Sequence, residues 1–338
     1  MKQRVLSGIQ PTGILHFGNY FGAVENWVRL QDTYECFYSI VNYHAMTMPF
    51  KAQNLNDNTW DLAFSLLALG VNPACLFIQS LIPEHTELAW ILNCFASYGE
   101  LGRMTQFKEK GDQSKIADSE AFISTGLFTY PVLQAADILL YKADFVPVGK
   151  DQDQHLELSR NIANRFNNQA GKDYFALPQT LYTATPKIVS PADPTKKMSK
   201  SLGEKHIISV FETEDRVRKQ IKSAVTDSGE PIIDGEPKRM SAGVENLFTL
   251  LKACGDLENH AALMLDYENN ALKYGFLKEK VADAVVAKTR HFNENRLQVM
   301  ANKKQVKEQI QDSSAVIRRV AHTTLREVKA ICGLINIK

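Results

Sequence analysis

Short apolar runs that alternate with helical stretches constrain the fold of this chain more than any other feature. Residues 5–9, 36–41 and 74–79 have the character of buried strands, and 145–149 forms a further run that ends in a turn. The intervening stretches have helical periodicity, as in residues 55–69. Strands that alternate with helices of this length predict a doubly wound, Rossmann-like parallel sheet of the α/β class.

The second part of the chain has a different texture. After Ser201 the sequence has helical periodicity and few strand-like runs, as in residues 244–253, 276–289 and 315–331. We therefore expect an α/β domain at 1–202, with a helical insertion at about 80–125, and an all-α domain at 203–338. The last helix of the second domain could pack back on the first.

Composition excludes several classes of protein. The chain has 338 residues, of which 44% are hydrophobic and 23% are charged, as in ordinary globular proteins. Its five cysteines contain no C-x-x-C pair, which argues against a disulfide framework, a zinc site or an iron–sulfur cluster. No secretory signal and no apolar run of about 18 residues is present. We therefore expect a cytoplasmic protein with no membrane partner.

A glycine-containing turn follows the first predicted strand. Gly8 and Gly13 have P-loop spacing, but the lysine that should follow them is absent, so a Walker-type site is a poor interpretation. His16-Phe17-Gly18-Asn19 comes next, and Gly18 lies at the start of a predicted helix. Phosphates can approach backbone N–H groups and the helix dipole there. A simple capping turn would explain the same residues, and the motif alone leaves both interpretations open.

A lysine-rich loop lies far downstream, at residues 194–203, bounded by Pro194 and Gly203. Nucleotidyl transfer to a carboxylate builds negative charge on the α-phosphate and on departing pyrophosphate. Lysines carried by a flexible loop can stabilise this charge mainly in the transition state. A solvated basic loop is the alternative. The order Lys-Met-Ser-Lys-Ser at 197–201 argues against it.

Together the two motifs resemble the HIGH and KMSKS signatures of class I aminoacyl-tRNA synthetases. In detail the chain is similar to the bacterial and organellar tryptophanyl branch of that family. Further matching stretches span most of residues 5–230, and they lie at 8–13, 99–101, 103–110, 130–133, 135–141, 146–149, 151–152, 154–155 and 224–228. The last third of the chain is matched only in its helical texture.

The resemblance implies an ATP site whose Mg²⁺ is held by phosphate oxygens rather than by a protein cage. It implies no permanently bound cofactor. Lys197, Lys200 and Lys110 would act on the phosphates as catalytic residues. The residues that would bind ATP are Gln10, Pro11, Thr12, His16, Gly18, Asn19, Gly149, Lys150, Asp151, Ile188, Lys197, Met198, Ser199, Lys200 and Ser201.

Asp137 is the residue that we expect to recognise the amino acid. The indole N–H is the one polar group of the tryptophan side chain, so its pocket needs a buried acceptor. Such a pocket rejects phenylalanine, because the acceptor would be left unpaired. Asp137 lies inside an apolar run, which argues against plain helix capping. The other residues implied around tryptophan are Tyr130, Gln134, Gln152, Gly8 and His44.

The sequence departs from the family pattern in three ways, and they bear on which branch of the family it resembles. Asn19 replaces the second histidine of the first signature, as is usual in the tryptophanyl branch. Asn42 and Tyr43 stand where Asp-Gln is commoner, and Gln134 occupies a position often filled by methionine. Because Y-x-x-x-Q-x-x-D also holds tyrosine in tyrosyl enzymes, a tyrosyl-tRNA synthetase is the main alternative.

Two further alternatives belong to other classes of protein. A non-catalytic paralogue could bind nucleotide or tRNA, although both signature loops are intact. A nucleotidyltransferase that makes a cofactor usually lacks a large helical appendage, which this chain has.

The implied reaction has two steps. Tryptophan attacks the α-phosphate of ATP, giving tryptophanyl-adenylate and pyrophosphate, and the acyl group then passes to tRNA(Trp). The implied assembly is a homodimer with residues 84–110 at its interface. The helical domain would contact the anticodon, and its basic residues would form a phosphate footprint. These residues are Lys288, Arg290, Arg296, Lys303, Lys304, Lys307, Arg318, Arg319, Arg326 and Lys329.

Overall fold

The computed structural model describes residues 2–105, 123–149, 152–182, 186–226 and 240–336. Within these ranges five strands form one sheet in the order β3-β2-β1-β4-β5, and every neighbouring pair is parallel. The strands are β1 Arg4–Ile9, β2 Glu35–Ile40, β3 Leu76–Ile78, β4 Phe145–Val146 and β5 Gln179–Thr180. This topology confirms the predicted α/β class.

The strands predicted at 74–79 and 145–149 are both shorter than expected. The run at 145–149 forms a strand only over Phe145–Val146. Pro147 follows directly and has no N–H to continue the ladder. The helix Asp153–Ala170 and strand β5 were not predicted from the sequence. The helix is mostly polar on its outer face, and a two-residue strand carries no period.

Helices cover both faces of the sheet. The first helix begins at Phe17–Asn19, passes through a π-helical turn at Tyr20–Val24 and ends with Glu25–Leu30. Two later helices pack together and line a cavity that is described below, and we call Glu84–Asn93 the flanking helix and Thr125–Leu140 the pocket helix. The other helices of this part are Asn42–Ala45, Ala52–Ala68, Tyr98–Gly102 and Asp153–Ala170.

The core divides at the sheet because neighbouring residues of a strand point to opposite faces. Val5 packs with Phe17, Trp27 and the helices of the second domain. Leu6 packs on the other face, with the flanking and pocket helices. Burial on both faces is typical of parallel sheets and explains the nearly continuous apolar strand runs.

The carboxy-terminal part is helical. Its helices are Glu214–Lys222, Ala242–Ala253, Leu257–Glu268, Tyr274–Ala301 and Lys303–Ile331. No helix in the described ranges is both long and apolar enough to cross a bilayer.

The last helix, Lys303–Ile331, runs along edge strand β3. Ser313 Oγ donates to the carbonyl of Leu76 at 2.8 Å, and the Ile78 amide donates to Ser314 Oγ at 3.4 Å. Backbone groups on the open side of an edge strand otherwise stay unpaired. The last helix therefore covers the open edge of the sheet, although its two serines lie 236 and 237 residues away from their partners in the sequence.

Candidate active site

The two signature motifs meet at the carboxyl end of β1. There they line a cavity of about 440 Å³, and a crevice at this edge of a parallel sheet is the usual place for a ligand. Gln10, Thr12, His16 and Asn19 line one side, and residues 198–201 line the other. The polar lining groups are hydroxyls, two amides, an imidazole and an ammonium. This set suits an anion such as a polyphosphate.

Two glycines let the motifs approach each other. A Cβ on Gly18 would lie 3.2 Å from the Met198 Cβ and 3.0 Å from His16 Nδ1. Gly13 has a φ of +143°, which L side chains rarely adopt, and a Cβ there would lie 3.4 Å from the Lys200 Cδ. The glycines are therefore needed for contact between two loops about 180 residues apart in the sequence.

His16 and Asn19 form a reciprocal cap on the first helix. The Asn19 amide donates to His16 Nδ1 at 3.3 Å, and the His16 amide donates to Asn19 Oδ1 at 3.3 Å. Both side chains also line the cavity. The capping turn that the motif alone left as one interpretation is therefore present, and it does not prevent the same side chains from facing the cavity.

The imidazole of His16 is neutral. Burial lowers its pKa to about 4. Because Nδ1 accepts the Asn19 amide, the ring proton is assigned to Nε2, which is then available to donate to a phosphate oxygen.

The lowered pKa of His16 predicts acid sensitivity. Above pH 6.5 the imidazole is neutral in both folded and unfolded chains and contributes nothing. As the pH falls towards 4, the unfolded chain takes up a proton that the folded chain refuses. We expect this one group to remove about 3 kcal/mol from the free energy of unfolding.

The measurement is urea denaturation of wild type and His16→Asn at pH 7.5, 5.5 and 4. The free energy of unfolding of wild type, relative to that of the variant, should fall as the pH is lowered from 7.5 to 4. If the free energies of unfolding of the two proteins change in parallel with pH over this range, the result would contradict a buried neutral His16.

The lysine loop presents one of its three lysines to the cavity. Lys200 is the lysine among the described lining residues. Lys197 forms an isolated β-bridge with Val189. Lys196 is ion-paired with Asp193 at 2.9 Å. Of the two catalytic lysines predicted in this loop, the structure places Lys200 against the cavity and Lys197 beside it.

The segment that leads into the lysine loop is fixed by the helical domain. Asn246 Oδ1 accepts from the Val189 amide at 3.0 Å, and Asn246 Nδ2 donates to the Val189 carbonyl at 3.2 Å. Val189 is the bridge partner of Lys197. Beside it, the Ser190 hydroxyl lies 2.9 Å from His206 Nδ1, and both groups are buried. The position of the loop therefore depends on the helix Ala242–Ala253.

Asp137 is buried on the pocket helix and is surrounded by donors. Gln79 Nε2 lies 2.8 and 3.0 Å from its two oxygens. His44 Nε2 lies 2.8 Å from Oδ2, and His85 Nδ1 lies 2.6 Å from Oδ1. Burial alone would raise the pKa of Asp137, but the hydrogen bonds from His44 and His85 outweigh it and lower the pKa to about 2. The carboxylate is therefore ionised at neutral pH.

Tyr130, Gln134 and Asp137 follow one another along one face of the pocket helix, at spacings of four and three residues. The Tyr130 hydroxyl lies 2.8 Å from His155 Nε2, and burial raises its pKa to about 12. Gln134 is half-buried. Tyr130 and Tyr43 line a second cavity, of about 340 Å³, between the pocket and flanking helices. Asp137 is not among its described lining residues and lies one layer deeper.

The remaining predicted residues lie at different depths. Gly8 lies on β1, where a Cβ would be 2.8 Å from the Val41 Cγ1, so its lack of a side chain is required. Gly149 accepts the Gln152 amide through its carbonyl at 3.0 Å. Pro11 is buried, and Ile188 belongs to the apolar core below the lysine loop. The predicted residues Lys110, Lys150 and Asp151 lie outside the described residues.

Sequence reasoning missed several side chains that hold the site. These are Gln79, His85, Tyr141, His155 and Asn246. Gln79 directly follows β3, and the carboxyl end of a parallel strand is a signal that could have found it. Tyr141 lies four residues beyond Asp137 at the end of the same helix, whereas His85, His155 and Asn246 reach the site from other helices, which leaves no local pattern.

Comparison with known proteins agrees with this geometry. The family model of class I tRNA synthetases (W and Y) matches residues 1–289. The tryptophan–tRNA ligase of Wolinella succinogenes is 41% identical over 339 residues, which cover 99% of this chain and 100% of that protein.

Two crystal structures are similar over nearly the whole chain. Tryptophanyl-tRNA synthetase from Mycoplasma pneumoniae has a TM-score of 0.85 at 36% identity, covering 99% of both chains. The Campylobacter jejuni enzyme, in complex with ADP and tryptophan, has a TM-score of 0.82 at 35% identity, covering 98% of this chain and 100% of that one. These likenesses confirm the resemblance expected from the two motifs, and the chain belongs to the class I tRNA synthetases of the tryptophan and tyrosine family.

Proposed function

We propose that this protein is a tryptophan–tRNA ligase that activates L-tryptophan with ATP and transfers it to tRNA(Trp). The observation that carries the proposal is the buried, ionised carboxylate of Asp137 on the pocket helix, whose residues Tyr130 and Leu133 line an aromatic cavity. A fixed acceptor at the end of an apolar pocket is what an indole N–H requires. The names of the similar bacterial enzymes support the same substrate.

The first step depends on positioning and charge stabilisation. ATP would lie against the two signature motifs, with its phosphates between the His16 Nε2–H group and the Lys200 ammonium. The tryptophan carboxylate then attacks the α-phosphate, so no protein nucleophile is required.

Mg²⁺ would accompany the triphosphate. In the described ranges no group of three or more His, Cys, Asp or Glu residues could hold a metal ion, and the cavity lining carries no carboxylate. These residues fit an ion that enters with the phosphates, and when bound it would neutralise phosphate charge.

Tyrosine is the substrate to exclude. Gln134 lies one turn from Asp137 and could hold a phenol, as tyrosyl enzymes do. Pyrophosphate exchange with each amino acid separates the two assignments. We expect exchange with tryptophan and about 10³-fold less with tyrosine, because the phenolic O–H projects from the far end of its ring and would not lie where the indole N–H meets Asp137. Exchange with tyrosine alone would overturn the proposal.

The surface that would contact tRNA is narrower than the sequence suggested. Several of the predicted basic residues are already paired inside the chain: Arg290 with Glu214, Arg296 with Asp61, Arg318 with Glu84 and Lys329 with Glu87. Lys303 and Lys304, at the start of the last helix, are exposed. We propose that phosphate contacts involve this lysine pair.

Charge reversal tests this lysine pair. We expect the double variant Lys303→Glu with Lys304→Glu to raise the KM for tRNA about tenfold or more. The slope of log KM against log salt concentration should fall by about 2. Pyrophosphate exchange is independent of tRNA and should not change, so it serves as the control. An unchanged KM for tRNA would remove this pair from the interface.

We also propose a homodimer through the face around the flanking helix. Leu88, Ile91 and Leu92 of the expected interface run are buried in the chain's own core. In contrast, Trp90 is 74% exposed and Tyr98 is 81% exposed. Large exposed aromatics mark interaction surfaces. Sedimentation should give a dimer that Trp90→Ser with Tyr98→Ser shifts to monomer, and a wild-type monomer would contradict the proposal.

A further inference from the structure

A histidine behind the amino-acid pocket joins two turns of the pocket helix. His85, on the flanking helix, places Nδ1 2.6 Å from Asp137 Oδ1 and Nε2 2.8 Å from the Tyr141 hydroxyl. Asp137 and Tyr141 are four residues apart, so they project from the same side of the pocket helix. His85 does not appear among the described residues that line the neighbouring cavity.

We propose that His85 and Tyr141 are positioning residues that fix Asp137 as an acceptor for the indole N–H of tryptophan. The inference rests on the proposed function, and it concerns two residues that are not among the described lining of either cavity.

Hydrogen-bond chemistry fixes the protons in this arrangement. An ionised carboxylate can only accept, so His85 carries a proton on Nδ1. Tyr141 keeps its phenolic proton, because burial and then the nearby Asp137 charge raise its pKa well above the ordinary value. Among the described residues, His85 Nε2 is the acceptor in reach of that hydroxyl. Tyr141 therefore donates to Nε2, and the ring proton of His85 stays on Nδ1, facing Asp137.

Packing prevents the imidazole from turning. His85 and Tyr141 have no exposed surface. The Phe77 ring lies nearly parallel to His85, with centroids 5.8 Å apart, and the Phe37 ring stacks on Tyr141 at 4.7 Å. Rotation of a side chain in such a close-packed interior would displace its neighbours. Water cannot replace a lost donor there, so an unpaired group would bear its full desolvation cost.

The consequence for recognition is that Asp137 stays an acceptor. Gln79, His44 and His85 hold both of its oxygens, and the donors oppose protonation of the carboxylate. A protonated carboxyl could donate a hydrogen bond to a ring atom that bears a lone pair. The fixed anion cannot donate, so it favours a ring N–H over a ring with sulfur or oxygen at that position.

The test uses two substrates that differ at this one position: L-tryptophan and its benzothiophene analogue, in which sulfur replaces the indole N–H. The measured quantity is the ratio of their kcat/KM values in pyrophosphate exchange. In His85→Asn the side-chain amide nitrogen can replace Nδ1 as the donor to Asp137. In His85→Gln the nitrogen extends towards the place of Nε2, so the donor to Asp137 is lost.

We expect His85→Gln to lower the tryptophan-to-analogue ratio about tenfold or more, and His85→Asn to keep it within about threefold. Tyr141→Phe should lower the ratio by about three- to tenfold, because Nε2 loses its partner and the tautomer is no longer fixed. The KM for ATP should stay unchanged in all three variants.

Equal losses with both substrates in folded His85→Gln would show that His85 only supports packing, and this would overturn the proposal. If His85→Gln does not fold, Tyr141→Phe decides by the same ratio. Asp137→Asn separates the positioning role of His85 from the proposed function of the protein. A ratio unchanged by Asp137→Asn would remove the acceptor role and the proposal with it, whereas a wild type that does not exchange pyrophosphate with tryptophan would overturn the proposed function itself.

Discussion

Lys200→Ala is expected to lower the rate of tryptophan activation by about 10²- to 10³-fold, which corresponds to about 3–4 kcal/mol of lost transition-state stabilisation. Lys200 is the lysine among the described residues that line the nucleotide cavity, and its side chain lies against Gly13 of the opposite loop. The additional negative charge that Lys200 would stabilise develops on the phosphates only as pyrophosphate departs. Binding of tryptophan should therefore change less than threefold.

Lys196→Ala is the matched control for this experiment. Lys196 lies in the same loop but pairs with Asp193 and is absent from the described cavity lining. We expect it to keep the activation rate within about threefold, since exposed ion pairs contribute little. Single-turnover kinetics separate activation from binding. Equal losses of rate and tryptophan affinity in Lys200→Ala would refute the transition-state role.

Asp137→Ala is expected to lower kcat/KM for tryptophan by about 10³-fold or more. The substitution removes the indole acceptor and also leaves the buried donors of Gln79, His44 and His85 without their common partner. Breaking a buried charged network usually costs about 3–5 kcal/mol of folding free energy. The loss of activity and the loss of stability must therefore be measured separately.

Asp144→Ala provides the comparison for stability. Its carboxylate accepts the Arg4 amide at 2.7 Å, where β4 meets the start of β1, and it lies away from both cavities. We expect Asp144→Ala to destabilise the fold and leave the KM for tryptophan unchanged. Urea denaturation and exchange kinetics on both variants separate the effects. If folded Asp137→Ala keeps wild-type kcat/KM, another group recognises the indole.

Many features of the site could be predicted from sequence because their cause is local. The two signature loops could be recognised from a few adjacent residues, and the structure brings them together at Gly18 and Met198. The strand-and-helix alternation predicted the parallel sheet, since each strand run is apolar enough to be buried on both faces. Strand ends were less predictable. The third strand was expected at 74–79 but spans Leu76–Ile78, where pairing with β2 ends.

The partners of each functional group could not be predicted, because they come from distant parts of the chain. The three donors to Asp137 lie between 52 and 93 residues away in the sequence. Basic residues of the last helices resembled a tRNA footprint, yet Arg318 pairs with the buried carboxylate of Glu84. Charge and spacing alone cannot distinguish a solvated cation from one that serves the fold.

The sequence by itself determined the α/β class, and it predicted the ATP-binding motifs and the acceptor residue, since each depends on residue type and short-range order. The tertiary structure decided that His16 is both a cap and a cavity group, that Asn246 fixes the approach to the lysine loop, and that Asp137 stays ionised. Each of these properties depends on which atoms meet after the chain packs. Burial and hydrogen-bond partners set the pKa and the orientation of a side chain, and neither exists before the fold forms.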